Sequence, residues 1–309
     1  MVVDQGGSTA TSAALCGVCS YRPTHGLVKS KGVTAAAPTL DSIACVAKDM
    51  EVVFNVAETL LPPPDLNRLQ DATKAKPYRL LIAEDYFSVC DDSVTEALRP
   101  VMAALKDIVA EWTSPDAQAP SVQNVQVTRL WGGLSDMIFS PDDDIVSLMH
   151  MDRLFQNFRI LEGHETLSRI HNWLATGHSE PTVAVDGKPG LTGLSKEARD
   201  RLQWANDLQD ILIRSALTAR EQITVLLDHL LSDDGVLVFP TFPISSTKDQ
   251  NIFSDRCLAN TCIASLTRTP QVSIPVKGYG LLFLAGRSND RMLLRFAREI
   301  SSSLSWVIK

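Results

Sequence analysis

Apolar positions change their spacing several times along the chain, and each change predicts an element. Between Lys48 and Leu60, the residues Met50, Val53, Val56, Ala57 and Leu60 recur every three or four positions, the stripe of an amphipathic helix. Pro62–Pro64 ends it, because proline has no amide proton to continue a helix. A polar connection, Ala72–Pro77, leads to the apolar run Leu80–Ala83, which predicts a buried strand over Arg79–Glu84. Asp92 or Ser93 then caps a helix whose stripe passes through Leu98, Met102 and Leu105 towards Trp112. A loop over Ser114–Ser121 precedes a second strand, Val122–Thr128. Strand, helix and strand in that order predict a parallel pair with a crossover helix.

Further on, the pattern predicts a helix over Asp152–Leu174 and a surface loop over Thr176–Ser195 that shapes a mouth. Ser195 caps a long helix with Glu197 and Ala198 in its first turn. A second stripe, Ile223, Leu226, Leu227, Leu230 and Leu231, ends at Asp233-Asp234-Gly235. Gly235–Phe239 reads as a strand stopped by Pro240 and Pro243, Cys257–Leu266 as a helix, Val272–Pro275 and Leu281–Ala285 as strands, and Asp290–Leu304 as a final helix. Gly6–Thr39, rich in Gly, Ser, Thr and Ala, reads as turns, one short helix and strand edges around a tightly packed site. The alternation predicts an α/β fold with a mixed, mainly parallel sheet flanked by helices. No internal repeat and no sharp boundary divides it, so one domain over residues 1–309 is expected.

Composition narrows the classes. With 309 residues and 45% hydrophobic content the chain can bury a sizeable core, and at 6% aromatics that core must be mostly aliphatic. A net charge of -7 with no dominant basic patch argues against nucleic acid as a partner. The longest apolar runs, Gly235–Phe239 and Gly280–Gly286, fall well short of the roughly 20 residues a membrane helix needs. Met1–Ser8 has neither a basic n-region nor an apolar h-region, so a cytosolic or organelle-stroma protein is expected. Cys16 and Cys19 form a C-x-x-C, but Cys45, Cys90, Cys257 and Cys262 stand alone; small buried thiols are expected, with no metal site and no cofactor. His150, His164, His171, His178 and His229 show no ligand spacing, and Asp142-Asp143-Asp144 reads as a solvated loop.

The chemistry-bearing stretch is Asp4-Gln5-Gly6-Gly7-Ser8. Two glycines let backbone N–H groups converge without interference from a Cβ. A serine directly after them places its Oγ beside those donors, the arrangement an oxyanion hole needs. Several ordered elements follow: Ser12-Ala13-Ala14-Leu15-Cys16-Gly17, Arg22-Pro23-Thr24-His25-Gly26, Lys31-Gly32-Val33, Leu40-Asp41-Ser42 and Val46-Ala47-Lys48-Asp49. In this order and spacing they resemble the amidase signature family, and the Arg-Pro-Thr-His-Gly form looks closest to plant-type amidases and their chloroplast-import relatives. Phe158–Glu165 is similar to the plant-type substrate-region helix. Val236–Pro243 and Thr269–Val276 are similar to the family's late strands.

The resemblance implies a serine hydrolase of small-molecule amides. Ser8 is then the nucleophile, and the backbone N–H groups of Gln5, Gly6, Gly7 and Ser8 hold the developing oxyanion. It also implies a base lysine and a bridging serine ahead of the nucleophile, yet the seven residues before Ser8 contain neither, and Ala10 stands where the family usually has arginine. The approach Lys277-Gly278-Tyr279-Gly280 is shorter than the family's. These departures lead us to expect an N-terminally incomplete amidase fold, with apolar surface left open near Ser8 and weak or no activity. The alternative expectation is a non-catalytic amidase-like binding protein related to chloroplast import receptors, although no tetratricopeptide repeat is visible. His25 as a substitute base is the lesser reading beside a turn role in Arg-Pro-Thr-His-Gly. Neither the preferred amide nor the oligomeric state is written in the sequence.

Overall fold

The computed structural model describes residues 1–63, 79–110, 121–131, 143–175, 195–245 and 250–305. Its frame is a mixed sheet of strands β1 (Val2–Asp4), β2 (Cys19–Arg22), β3 (Ser42–Ala47), β4 (Arg79–Ala83), β5 (Ser121–Val125), β6 (Gly235–Pro240), β7 (Gln271–Val276) and β8 (Tyr279–Ala285). They lie in the order β1-β3-β2-β7-β8-β6-β4-β5. The expected parallel unit is present: β4 pairs with β5 through a crossover, and β6 joins the other side of β4, also in parallel. Every other neighbouring pair described is antiparallel, so the sheet is mixed as expected but its pairings are mostly antiparallel rather than parallel. The cause is local. Lys277 (φ 47°) and Gly278 (φ 85°) both take left-handed backbone, the tight turn that folds β7 straight back on β8. The shortened Lys277–Gly280 approach is therefore a hairpin.

Helices cover both faces. In chain order they are α1 (Ser8–Leu15), α2 (Met50–Leu60), α3 (Glu84–Ser88), α4 (Asp92–Ala110), α5 (Asp143–Ala175), α6 (Lys196–Asn206), α7 (Asp210–Leu231), α8 (Gln250–Thr261), α9 (Ile263–Thr267) and α10 (Asp290–Ser303). The central strands show why their sequences are continuously apolar: both of their sides face core. Val236 and Val238 of β6, with Leu281, Phe283 and Ala285 of β8, point into one cluster built on α2, α4 and α10. Leu237, Phe239, Leu282 and Leu284 point into a second, built on α5, α7 and α9.

Several boundaries differ from the expected ones for physical reasons. β2 is an interior strand, buried along its length between β3 and β7, rather than an edge. β3 carries no period-2 signal because its first four residues are all buried. The long helix expected after Ser195 breaks at Asp207–Gln209, giving α6 and α7; Ser195 Oγ does accept from Ala198 N–H, as a cap should. The stripe of α7 is rotated, with Ile223, Leu227 and Leu231 buried while Leu226 is exposed. Cys257–Leu266 breaks at Cys262, giving α8 and α9. The cap of α2 is Asp49, whose carboxylate accepts from Val52 N–H. The loops expected over Ala72–Pro77 and Thr176–Leu194, Asp142 and the side chains of Asp143 and Asp144 lie outside the described residues.

Phe283 is fully buried and meets Phe296 of α10 edge-on, ring centroids 5.4 Å apart. Phe283→Ala is expected to cost about 3–5 kcal/mol, the range for truncating a buried aromatic. Denaturant unfolding followed by circular dichroism checks this, and a loss below about 1 kcal/mol would show that the α10 face is not tightly packed.

Candidate active site

Asp4 ends β1, and the chain then turns through Gly6 (φ 66°) and Gly7 (φ 81°) before α1 starts at Ser8. Both glycines hold left-handed backbone, which side chains resist. Space forbids a side chain as well. A Cβ on Gly6 would lie 2.7 Å from Phe158 Cζ of α5, and one on Gly7 would lie 2.4 Å from Thr261 Cβ of α8. The Gly-Gly pair is therefore required by close approach from two helices. Ser8 itself is exposed at the helix N-terminus.

Asp4 is the anchor. Its carboxylate is buried, accepting from Arg22 Nη1 at 2.7 Å and from Thr9 N–H at 2.9 Å. Arg22 Nη1 also reaches Asp4 O at 2.9 Å, and Nη2 reaches Leu40 O at 2.6 Å. One guanidinium thus joins β1, β2 and the segment before β3. The Pro-Thr turn after Arg22 is fixed from α10: Asp290 accepts from Tyr21 OH at 2.5 Å, Thr24 N–H at 2.8 Å and Thr24 Oγ1 at 2.5 Å. Burial pushes the Asp290 carboxyl up, against those hydrogen bonds.

The backbone donors do not all share one task. Gly6 N–H donates to Ser265 Oγ of α9 at 2.9 Å, and Ser8 N–H turns back to Gln5 O at 3.3 Å. Gln5 N–H and Gly7 N–H form no hydrogen bond to the described residues. Of the four amides singled out in the sequence, two are engaged internally and two have no acceptor among the described residues. Ala10, in the family's arginine position, is buried against the second core cluster. Val2 and Val3 of β1, just ahead of the turn, are exposed, as is Leu15 at the far end of α1.

Other candidates fall elsewhere. His25 is half-buried after β2, one ring nitrogen against Pro38 O at 2.8 Å and its N–H donating to Arg268 O. Burial lowers its pKa, as do Arg22, Arg268 and Arg220. Cys19 is buried, its thiol pushed up to about 12, whereas Cys16 is exposed; the pair is split between core and surface rather than buried together, as expected of two small thiols. No cluster able to hold a metal occurs among the described residues. Glu165 is structural: Thr39 donates to it from N–H and from Oγ1, and buried Arg220 donates to Thr39 Oγ1 and O. A cavity of about 690 Å³ opens between α4 and β5, lined by Glu84, Phe87, Arg99, Lys106 and Asn124 among others, and shares no residue with the Ser8 turn.

No family model matches the chain. It is 26% identical over 282 residues to Amidase 1 of Arabidopsis thaliana, covering 88% of this chain and 61% of that protein. It is 24% identical over 318 residues to the mitochondrial Outer envelope protein 64 of the same plant, covering 98% of this chain and 48% of that one. A bacterial aryl acylamidase of the amidase signature enzymes superposes with a TM-score of 0.69 at 12% identity, covering 98% of this chain and 62% of that structure. The chain therefore has the amidase signature fold, and its sequence is similar to amidases of that family. The chain spans about half to three-fifths of the length of these two plant relatives. Among the described residues no helix is long and apolar enough to cross a membrane.

Two outcomes test the anchor and the turn. Asp4→Ala is expected to cost about 3–5 kcal/mol, because it leaves Arg22 charged and buried without its partner; denaturant unfolding measures it, and a loss near zero would mean the pair is solvated. For His25 the folded pKa lies below the unfolded one, near 6.5. The unfolded chain therefore binds the proton more readily, and stability falls as pH drops below about 6.5 towards the folded pKa. His25→Gln is expected to flatten that part of the stability–pH curve, and an unchanged slope would place the imidazole in solvent.

Proposed function

We propose that the chain carries the nucleophilic half of an amide hydrolase, with Ser8 as nucleophile and the free backbone amides of the Gly-Gly turn as oxyanion donors. The observation that carries this is the geometry of the turn: an exposed serine at the start of α1, directly after two left-handed glycines, beside Gly7 N–H and Gln5 N–H that no described residue uses. Attack of Ser8 Oγ on an amide carbonyl forms a tetrahedral oxyanion, the amine departs after taking up a proton, and water cleaves the acyl-enzyme. An unassisted serine hydroxyl is a poor nucleophile near neutral pH. In the family's scheme a neutral lysine draws a proton through the bridging serine, and Met1–Gly7 supplies neither residue. The substrate class supported by the amidase relatives is a small-molecule amide.

A second reading, an amidase-like protein that binds without catalysis, is favoured by the likeness to Outer envelope protein 64 and by Ala10. A cytosolic place of action with plastid association goes with this reading, and a 22% identity to Translocon at the outer membrane of chloroplasts 64 of Pisum sativum supports the plastid part. The two readings separate on Ser8.

Ammonia release from indole-3-acetamide and from a simple fatty amide is the test. These 309 residues alone are expected to turn over slowly, since general-base assistance is worth about 10²–10⁴ in rate. Fusion to a family N-terminal segment carrying the lysine and serine is expected to restore turnover that Ser8→Ala abolishes. Activity indifferent to Ser8→Ala removes the serine from the site. Fast, Ser8-dependent turnover by the short chain would mean that another residue serves as base. A fused chain with no turnover favours the binding protein.

A further inference from the structure

We propose that Thr261 and Ser265 are positioning residues that clamp the Gly6 peptide groups and thereby aim Gly7 N–H at the oxyanion beside Ser8. This rests on the reading of Ser8 as nucleophile. Both residues lie more than 250 positions along the chain from the turn they hold. Thr261 ends α8, Ser265 sits in α9, and both are fully buried.

The geometry follows from peptide planarity. Ser265 Oγ accepts Gly6 N–H at 2.9 Å, which fixes the Gln5–Gly6 peptide plane. In a trans peptide the carbonyl points opposite to the N–H, so Gln5 O faces away from Ser265, where it accepts Ser8 N–H. Thr261 Oγ1 donates to Gly6 O at 2.7 Å, which fixes the Gly6–Gly7 plane. Gly7 N–H must then point away from Thr261. It is one of the two turn amides with no acceptor among the described residues. Both planes need fixing because glycine leaves them free: at φ 66° and 81° the turn has no side chain of its own to hold it.

The bland alternative is a threonine that back-bonds to its own helix. Cys257 O does lie 3.0 Å from Thr261 Oγ1, the usual contact of a helical threonine four residues on. One hydroxyl proton serves one acceptor at a time, and Gly6 O is the nearer. Thr261 Cβ also stands where a Cβ on Gly7 would have to go, 2.4 Å from that position. The hydroxyl and the helix end are thus in direct contact with the turn. The consequence is a division of labour: Gly6 N–H is spent on structure, and Gly7 N–H is kept for charge. A preorganised donor needs no rotation when charge appears, which gives it value in the transition state.

Two readouts test this. The direction of the Gly7 N–H bond is measured by residual dipolar couplings in wild type, Thr261→Val, Thr261→Ser and Ser265→Ala. Phenylboronic acid supplies the second, because its tetrahedral adduct with a serine Oγ, formed as the hydroxyl proton passes to the buffer, places a boronate oxygen in the oxyanion position; ¹¹B NMR reports the adduct. Thr261→Val is expected to change the Gly7 coupling while leaving those of the α1 core unchanged, and to weaken boronate binding by about 10- to 100-fold, the scale of a misaimed catalytic group. Thr261→Ser keeps the hydroxyl and is expected to restore both. Ser265→Ala is expected to speed hydrogen exchange at Gly6. Unchanged Gly7 coupling in Thr261→Val overturns the clamp. A changed coupling with undiminished boronate binding overturns its link to charge. If wild type gives no adduct that Ser8→Ala removes, the nucleophile fails and takes the link to charge with it, while the coupling still decides the clamp.

Discussion

A carboxylate and a guanidinium, Asp4 and Arg22, meet out of water, and the Ser8 end of the sheet is organised around them. Taking two such ions from solvent costs several kcal/mol each, and their attraction offsets this only when the geometry is good and the remaining polar atoms are satisfied. Here most of the extra bonds exist, and only Arg22 Nε of the pair is buried with no hydrogen bond among the described residues. Asp4 accepts from Arg22 and from Thr9 N–H, and Arg22 reaches two carbonyls besides. The same contacts set the direction in which the chain leaves β1. With Asp4 held in place and its carboxylate on the first turn of α1, the intervening residues have little choice but a tight left-handed turn. Ser8 is exposed because Asp4 is buried.

The turn is then enclosed by residues from the other end of the chain. Phe158 of α5 closes on Gly6, Thr261 of α8 on Gly7, and Ser265 of α9 takes up a backbone proton. Thr261 and Ser265 are four residues apart, on either side of the break at Cys262, and both hydroxyls face the one turn. Behind α1, Gly280 of β8 lets the helix approach the sheet: a Cβ there would lie 2.7 Å from Ala14 Cβ and 2.6 Å from Thr241 Oγ1. Small residues on both sides, Ala14 near the C-terminal end of α1 and Gly280 of β8, bring the helix close to a sheet that is otherwise packed with large aliphatic side chains.

The sheet gives this local arrangement its rigidity. The inner strands β7, β8 and β6 bury both faces, so their positions are specified twice, by α2, α4 and α10 on one side and by α5, α7 and α9 on the other. β1 has no such double cover: Val2 and Val3 are exposed, and the strand is held through Asp4 and its pairing with β3. The site therefore sits where a strongly specified core gives way to a strand held by one ion pair and one ladder. Exposed apolar residues next to a free strand side favour association with another surface.

The sequence by itself determined the elements whose signals are local. Period and caps located α2, α4, α10 and the buried strands β4, β6, β7 and β8, because an amphipathic stripe or a short continuous apolar run is a property of neighbouring residues. The ordered motifs from Asp4 to Asp49 pointed to the family, and Gly6-Gly7-Ser8 to the turn. Tertiary structure alone decided the rest. β3 and the interior place of β2 depend on partners far along the chain, and the antiparallel run of β7 and β8 depends on a two-residue turn at Lys277-Gly278. Asp4 and Arg22 are ordinary charged residues until folding removes water from both. Thr261 and Ser265 carry no signal at all in the sequence, since a hydroxyl on a helix is usually satisfied by its own backbone or by solvent. Which amides of the turn are spent and which are left free is a matter of peptide-plane direction, and that is set by contacts across some 255 residues of chain.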